Sequence, residues 1–195
     1  ASGHAKVILD ILILNSISVH KILDDIPKVD FLCNIPVINS QLHDLKLDQN
    51  FIISIGDNNL RKKIVSNFNF KYFTAIHPTA VLSNFSKIGE GTVIMANCVL
   101  NSGCKIGNHC IINSGSIVEH DCSINDFVHI SPNAALAGNV EIGEGSHIGI
   151  GAVVIQGVKI GKWCKIGAGA VIIEDIPDYS VVVGNPGRII KTLPS

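Results

Sequence analysis

The side chains that could perform acid–base chemistry stand together in one short run, Glu119, His120 and Asp121. A histidine beside carboxylates is held in one orientation and made more basic, as a general base requires. Gly138 follows His120 after 18 residues, and a glycine leaves its backbone N–H open to a ligand oxygen. If the fold repeats at this interval, His120 and Gly138 stack and form a candidate catalytic site. The alternative is that His120 is a surface histidine on a polar face.

A six-residue repeat supplies the elements that would position these groups. Between positions 76 and 172, every sixth residue is Ile, Leu or Val, which makes 17 consecutive matches without an inserted loop. Four residues after each of the first 16 stands a small or β-branched residue. A period of six fits neither an α-helix nor a single strand. It is typical of a triangular solenoid with three hexapeptides per turn, and so predicts a left-handed parallel β-helix, the hexapeptide-repeat prism.

Glycines and cysteines occupy fixed places in the repeat. Glycine follows the aliphatic residue at six positions, where we expect a positive φ or a tight turn: Gly89, Gly107, Gly143, Gly149, Gly161 and Gly167. Five of the six cysteines hold the small-residue position, and no CxxC motif occurs. We therefore interpret these cysteines as buried packing thiols of a protein in the reducing cytoplasm.

The remaining histidines raise the question of a metal site. His129 and His147 are 18 residues apart and should stack on one face. Carbonic anhydrases with this prism hold zinc with three histidines, two of them close in sequence. No histidine stands five residues after His120, and Ser102 and Asn84 occupy the positions one and two coils before it. The sequence therefore predicts no metal.

Composition excludes two classes of function. Hydrophobic residues make up 47% of the 195 residues, yet no apolar run approaches the roughly 20 residues that span a bilayer. We expect no membrane span. The net charge is −1 and aromatic residues make up 5%, so the chain lacks the basic surface and the stacking platforms of a nucleic-acid-binding protein.

The N-terminal part alternates helical and strand patterns. This alternation predicts a small Rossmann-like α/β domain at residues 1–75, followed by the prism at 76–183 and a tail at 184–195. The chain opens within a strand-to-helix turn, so we expect a first strand upstream. The predicted elements are a helix at 4–15, a buried parallel strand at 51–56, a helix at 60–65 capped by residues 57–59, and a strand at 71–76.

Several polar residues of this domain could bind a ligand. Gly3 and His4 begin a helix, whose N–H groups could hold a phosphate. Asp24 and Asp25 could accept hydrogen bonds from a ribose or uracil, or simply form a turn. The segment containing Gly56 and Asn58 follows a strand, where α/β sheets bind ligands, but it could equally serve only as a cap. The basic residues at 61–63 could contact a diphosphate, although we expect them to face solvent.

These N-terminal motifs together with Glu119, His120 and Asp121 resemble one family over essentially the whole chain. The N-terminal motifs that carry the resemblance are the segments Ala1 to Lys6, Leu23 to Asp25 and Ile55 to Lys63. The chain is similar to the sugar acetyltransferases of the PglD and NeuD group. The resemblance implies transfer of an acetyl group from acetyl-CoA to the 4-amino group of a nucleotide-linked amino-dideoxy sugar, with UDP as the nucleotide, as in bacillosamine biosynthesis. It also implies a cytoplasmic homotrimer with active sites between subunits.

The resemblance assigns roles to particular residues. It implies that His120 is the catalytic base, supported by Asp121 or Glu119, and that the Gly138 N–H holds the thioester oxygen. Family members often carry Glu where Asp121 stands. The remaining roles divide between the two substrates: His129, Gly138, Gly149, Ile150, Gly167 and Ala168 would contact acetyl-CoA, and Gly3, His4, Asp24, Asp25, Gly56, Asn58 and Asn113 the nucleotide sugar.

Two other functions remain open from the sequence. The same base could activate a hydroxyl group, which would make the protein an O-acetyltransferase of sialic acid or a related glycan sugar. A prism without activity, serving as a scaffold or a nucleotide-sugar binder, is the third hypothesis. The intact Glu119, His120, Asp121 and Gly138 argue against it.

Overall fold

A computed structural model describes residues 3–40 and 49–194. Ala1 and Ser2, which belong to the expected phosphate-binding turn, lie outside the described residues. Neither helix in the described part of the chain has the length and apolar character that a bilayer crossing requires.

The N-terminal part is a small α/β unit. Its elements are α1 (Gly3–Leu14), β1 (Ile22–Asp24), β2 (Phe31–Leu32), β3 (Ile35–Asn39), β4 (Asn50–Phe51), α2 (Asn58–Asn67) and β5 (Lys71–Tyr72). Strand β3 pairs in parallel with β1 and antiparallel with β2, while β4 pairs in parallel with β5. The predicted strand at 51–56 is therefore shorter than expected, because only Asn50 and Phe51 find a partner strand. Both predicted helices are confirmed, and Asp57 caps α2 by accepting a hydrogen bond from Leu60 N at 2.8 Å.

The rest of the chain winds into a left-handed parallel β-helix with three faces. We name one face for the N-terminal unit that covers it and the other two for their outward-facing side chains. The covered face, against which the N-terminal unit packs, contains β6 (Ala75–Ile76), β9 (Val93–Ile94), β12 (Ile111–Ile112), β15 (His129–Ile130), β18 (His147–Ile148) and β21 (Lys165–Ile166). The apolar face contains β7 (Val81–Leu82), β10 (Val99–Leu100), β13 (Ile117–Val118), β16 (Ala135–Leu136), β19 (Val153–Val154) and β22 (Val171–Ile172). The charged face contains β8 (Lys87–Ile88), β11 (Lys105–Ile106), β14 (Ser123–Ile124), β17 (Glu141–Ile142) and β20 (Lys159–Ile160).

The interior is filled as the repeat predicts. Each strand pairs with the strand three hexapeptides later, so that His129 lies beside His147 and Leu100 beside Val118. From Ile94 to the end of the repeat, the aliphatic residue of each hexapeptide is at most 4% exposed. The five cysteines at the small-residue position are buried, and all six cysteines are free thiols. The packing interpretation of the cysteines agrees with this arrangement.

The structure corrects the expected role of the six glycines that follow an aliphatic residue. Positive φ angles occur two residues later instead, for example at Gly91 (66°) and Gly145 (70°), and at the equivalent position of other hexapeptides, such as Gly157 (74°). The glycines that follow the aliphatic residue provide space between coils. A Cβ built on Gly143 would lie 2.6 Å from the carbonyl oxygen of Gly161, one coil above. Hence the stacking of coils, rather than φ, excludes a side chain there.

The C-terminal segment closes the prism. Strand β23 (Ser180–Val183) continues the covered face, and β24 (Arg188–Thr192) pairs with it antiparallel. The predicted departure from the repeat near residue 184 therefore takes the form of a hairpin.

A glycine with positive φ, such as Gly157, and a glycine packed against the next coil, such as Gly143, should respond differently to replacement by asparagine. We expect Gly157→Asn to change the free energy of unfolding by less than about 0.5 kcal/mol, because asparagine tolerates positive φ and nothing lies within 4 Å of the built Cβ. Gly143→Asn should cost about 1–3 kcal/mol or more, because the neighbouring backbone must move. Denaturant unfolding followed by circular dichroism measures both. Equal destabilisation by the two variants would contradict the conclusion that the close packing of successive coils requires glycine at position 143.

Candidate active site

The candidate general base lies in the turn between β13 and β14, at the edge shared by the apolar and charged faces. Asp121 has a φ of 60°, a conformation that aspartate tolerates better than most residues. Its Oδ2 lies 2.9 Å from His120 Nδ1. A carboxylate can only accept a hydrogen bond, so Nδ1 carries the proton and the neutral ring presents its lone pair at Nε2. The Asp121 carboxylate thus sets the tautomer that a base needs.

The electrostatics of this turn favour the protonated ring. The hydrogen bond from His120 to Asp121 raises the pKa of His120, and the charges of Asp121 and Glu119 act in the same direction. The side chain of His120 is 58% exposed, so water moderates these effects. The result is an accessible histidine of enhanced basicity.

Gly138 lies one coil above His120, as the repeat predicts. A Cβ built on Gly138 would lie 2.6 Å from His120 Cε1 and 2.7 Å from Nε2. Only glycine leaves room for the imidazole in this position. The Gly138 carbonyl accepts a hydrogen bond from Gly157 N at 3.0 Å, whereas its N–H donates to no described residue. A donor without a protein partner beside Nε2 can stabilise negative charge on a reacting oxygen.

Glu119 is held by a residue that the sequence analysis missed. Its Oε2 accepts a hydrogen bond from Asn101 Nδ2 at 2.8 Å. Asn101 precedes Glu119 by 18 residues, so the same interval that links His120 to Gly138 could have identified it. Glu119 is therefore fixed beside His120 by the coil below, while Asp121 contacts the ring directly.

The predicted pair of stacked histidines, His129 and His147, lies on the covered face. The rings of His129 and His147 stack with centroids 4.6 Å apart and planes at 11°, which confirms the predicted stacking. His129 Nε2 lies 3.1 Å from Asn113 Nδ2, and His147 Nε2 lies 2.7 Å from Ser131 Oγ. Burial lowers the pKa of His129 to about 3, with smaller contributions from the charges of His147 and Arg61. These histidines are neutral hydrogen-bonding groups at ordinary pH.

The predicted acetyl-CoA residues thus fall into two groups within one chain. Gly138 lies with His120 on one edge of the apolar face. The others lie on the covered face or in the turns at the opposite edge of the apolar face: His129, Gly149, Ile150, Gly167 and Ala168, together with Asn113. One chain therefore does not bring His129 and His120 onto the same face.

The residues of the N-terminal unit that were predicted to bind a phosphate or a nucleoside differ in their burial and hydrogen bonding. Gly3 begins α1, and His4 is largely buried with no described partner for its Nε2 atom. Burial lowers the pKa of His4. Asp24 Oδ1 accepts a hydrogen bond from Ile26 N at 2.9 Å, and the Asp25 carboxylate accepts one from Ser40. These two contacts match the turn that the sequence left open as an alternative to nucleoside binding.

The 55–58 segment contacts the prism directly. Asn58 is 7% exposed, and its Nδ2 donates to Gly145 O at 3.0 Å and to Ser146 O at 3.3 Å. The expectation that Arg61 faces solvent is wrong, because Arg61 is 1% exposed and donates to His109 O at 2.7 Å. Its position three residues after Asn58 places both on one face of α2, which is the signal that could have revealed it.

A cleft of about 440 Å³ opens where α2 begins against the covered face. It is lined by Gly56 and Asn58 from the predicted substrate segment and by His147, Trp163 and Lys165 from the prism. Aromatic, cationic and amide groups are suited to a polar anionic ligand. Within the described ranges, no group of three or more His, Cys, Asp or Glu side chains is arranged to hold a metal ion.

Comparison with protein families agrees with both parts of the chain. Residues 1–68 match the model of the PglD N-terminal domain. Residues 85–120 and 139–174 match the model of the bacterial transferase hexapeptide (six repeats). The fold and these matches define an acyltransferase of the hexapeptide-repeat class.

Individual relatives narrow the class. PerB from Caulobacter crescentus, solved with CoA and GDP-perosamine, is 38% identical with a TM-score of 0.90, over 97% of this chain and 94% of that one. The acetyltransferase domain of PglB from Neisseria gonorrhoeae, solved with acetyl coenzyme A, is 37% identical with a TM-score of 0.91, over 97% and 95% of the two chains. The chain belongs to the PglD-type family of hexapeptide sugar N-acetyltransferases.

A curated relative gives a shorter match. The UDP-N-acetylbacillosamine N-acetyltransferase of Bacillus subtilis (strain 168) is 40% identical over 103 residues, which are 48% of this chain and 48% of that protein. The match thus spans about half the length of that relative.

The contact between Asp121 and His120 predicts a shift in titration. Asp121→Asn removes the carboxylate that raises the pKa of His120, so the ring should lose its proton at lower pH than in the wild type. Because a general base must be neutral, the acidic limb of the activity profile should move to lower pH as well. NMR titration of the His120 Cε1 proton measures the shift. Asp121→Glu, which keeps the charge, is the control, and an unchanged titration in Asp121→Asn would contradict the assignment.

Proposed function

We propose that this protein transfers the acetyl group of acetyl-CoA to the 4-amino group of a nucleotide-linked amino-dideoxy sugar, with UDP as the nucleotide. The observation that carries the proposal is the arrangement around His120. Asp121 holds Nδ1, Nε2 is left as the acceptor, and the Gly138 N–H beside it has no described partner. This set contains the base and the oxyanion donor of a direct acyl transfer.

The reaction follows from these positions. The sugar amine attacks the thioester carbonyl carbon while His120 Nε2 takes a proton from the amine. The Gly138 N–H donates to the oxyanion of the tetrahedral intermediate. The C–S bond then breaks, the amide forms, and the thiolate of CoA takes the proton from the imidazolium. Asp121 stabilises the imidazolium between these steps, so no cysteine nucleophile is required.

The choice of acceptor rests on the relatives. PerB was solved with CoA and GDP-perosamine, and the curated relative is named for a UDP-linked sugar. Both names combine a nucleoside diphosphate with an amino sugar. The short match to the UDP-sugar enzyme supports UDP for this chain, and a GDP-linked sugar is the alternative that a product assay distinguishes. We also propose the cytoplasm as the compartment, in keeping with six free thiols.

We propose that three copies associate through the apolar face. Its outward residues are all aliphatic or alanine, and they include Val81 (63% exposed), Ile117 (38%) and Val153 (42%). The covered face is partly occupied by the N-terminal unit, and the charged face presents Lys87, Lys105, Ser123, Glu141 and Lys159. A flat apolar stripe that one chain leaves in water is a surface for a further copy.

A three-fold assembly through this face would also complete the site. The His120 turn lies at one edge of the apolar face, and the turns containing Asn113 and Ile150 lie at the other. When identical faces pack around a three-fold axis, one edge of each copy approaches the opposite edge of the next. The two groups of predicted acetyl-CoA residues would then meet between subunits, and the long pantetheine arm could contact both.

The proposed reaction predicts a specific product. Incubation with acetyl-CoA and a UDP-linked 4-amino-4,6-dideoxy sugar should give a product heavier by one acetyl group, detected by mass spectrometry. His120→Ala should lower kcat by on the order of 10²–10⁴ and leave the assembly intact. Parallel samples contain the GDP-linked sugar and free sialic acid. Acetylation of sialic acid alone would refute the N-acetyltransferase proposal, and wild-type turnover in His120→Ala would remove His120 from the mechanism.

The proposed assembly predicts a matched pair of lysine variants. Val153→Lys introduces a charge into the apolar face, and Ser123→Lys introduces the same charge into the charged face. We expect Val153→Lys to convert a trimer into monomers and to lose activity, because a buried unpaired charge is costly. Ser123→Lys should remain trimeric and active. Light scattering coupled to size-exclusion chromatography measures the mass of each, and a trimeric Val153→Lys protein would place the interface elsewhere.

A further inference from the structure

Arg61 is a buried cation that makes no ion pair with a described carboxylate. The residue is 1% exposed, and burial lowers its pKa to about 10, so the guanidinium still carries its charge at neutral pH. A buried charge without a counter-ion is costly unless other groups solvate it. The contacts of Arg61 should therefore reveal what the charge stabilises.

Backbone carbonyl groups solvate this guanidinium. Nε donates to His109 O at 2.7 Å, and Nη2 donates to Phe127 O at 2.9 Å. His109 and Phe127 are three hexapeptides apart, so their carbonyls belong to successive coils of the prism. On the other side, Nη1 donates to Ile55 O at 3.0 Å and to Gly56 O at 3.3 Å. One planar group thus joins the 55–58 segment to two coils.

Asn58 extends the same connection to a third coil. Arg61 Nη2 donates to Asn58 Oδ1 at 2.8 Å, which fixes the orientation of the amide. Asn58 Nδ2 then donates to Gly145 O, one coil beyond Phe127. The rings of His109 and Phe127 stack with centroids 5.3 Å apart, and both residues have positive φ, so their turns are closely constrained. We call Arg61 and Asn58 the carbonyl clamp.

Helix α2 also contacts the prism through an ion pair that is partly exposed to solvent. Lys62 forms an ion pair with Glu144 and lies over the ring of Trp163, but 42% of its side chain is exposed. This contact links the same helix to the same edge of the prism without touching the 55–58 segment. An exposed ion pair contributes little to stability. The clamp, unlike this ion pair, hydrogen-bonds the carbonyl oxygens of Ile55 and Gly56 directly.

We propose that Arg61 is a positioning residue for the acetyl acceptor, holding the 55–58 segment at a fixed place on the prism so that a sugar bound there presents its amine to the thioester. This inference rests on the proposed function and on the family resemblance, which assigns Gly56 and Asn58 to the nucleotide sugar; both residues line the cleft at the start of α2. Misplacement of a reacting group by about 1 Å can cost on the order of 10²-fold in rate. Arg61 acts through the segment and does not itself contact the reacting atoms.

The test compares variants of Arg61 with a control on the same helix. Arg61→Met keeps an unbranched stem and removes every donor, whereas Arg61→Lys keeps the charge without the planar set of donors. Lys63→Met removes a charge from an exposed position of α2. For Arg61→Met we expect kcat/KM for the nucleotide sugar to fall by roughly 10- to 100-fold, with KM for acetyl-CoA within about twofold of the wild type. Arg61→Lys should recover only part of the loss, and Lys63→Met should equal the wild type.

A second measurement does not depend on activity. Hydrogen–deuterium exchange of the intact protein should show faster exchange at residues 49–61 in Arg61→Lys, with the strands of the prism still protected. Equal changes in both KM values, or unchanged exchange at this segment, would overturn the positioning role. If the wild type acetylates no nucleotide sugar but exchange changes as expected, the proposed function fails while the clamp stands. If Arg61→Met does not fold, Arg61→Lys carries both measurements.

Discussion

The stacking of each coil on the next, three hexapeptides further along the chain, is the constraint on which the rest of this structure depends. Parallel strand pairing brings equivalent residues of successive coils into contact, and close packing of the backbone forbids a side chain at positions such as Gly143. The site uses the same rule. Gly138 leaves space for the ring of His120, and Asn101 reaches Glu119 from the coil below. A site built this way needs no loop of its own, because the fold repeats the required spacing.

The same register gives the three faces different chemistry. Outward positions recur once per coil within a face, so equivalent residues of successive coils lie side by side. One face carries aliphatic residues and alanine, one carries lysines with Ser123 and Glu141, and one begins with Ala75, Val93 and Ile111 beneath the N-terminal unit and continues with histidines. On the covered face the outward residues thus change from aliphatic side chains to His129 and His147, and His147 lines the cleft at the start of α2.

The repeat allows each strand of the prism to be predicted from the sequence, because the aliphatic residue of each hexapeptide marks where a strand lies. Counting along the repeat also pairs His120 with Gly138 and His129 with His147. The N-terminal unit is less predictable, since its helices are clear but the strand expected at 51–56 reduces to Asn50 and Phe51. Arg61 is mistaken for a solvent-exposed residue because its partners are main-chain carbonyls. Its spacing of three residues from Asn58 indicates a shared face of α2, but the sequence does not show which main-chain carbonyls accept its hydrogen bonds.

Burial, together with the charge of Arg61, separates the histidines into two chemical environments. Burial is the main cause of the lowered pKa values of His4, His109, His129 and His147, and the positive charge of Arg61 acts in the same direction on all four. The pKa of His109 falls to about 4, so the rings beneath the N-terminal unit stay neutral. His120 lies in the opposite setting, exposed and beside two carboxylates. Burial, with a smaller effect of the Arg61 charge, therefore keeps these four rings neutral at neutral pH, while two neighbouring acids make His120 more basic, so the described residues provide both a candidate proton acceptor and neutral hydrogen-bonding rings.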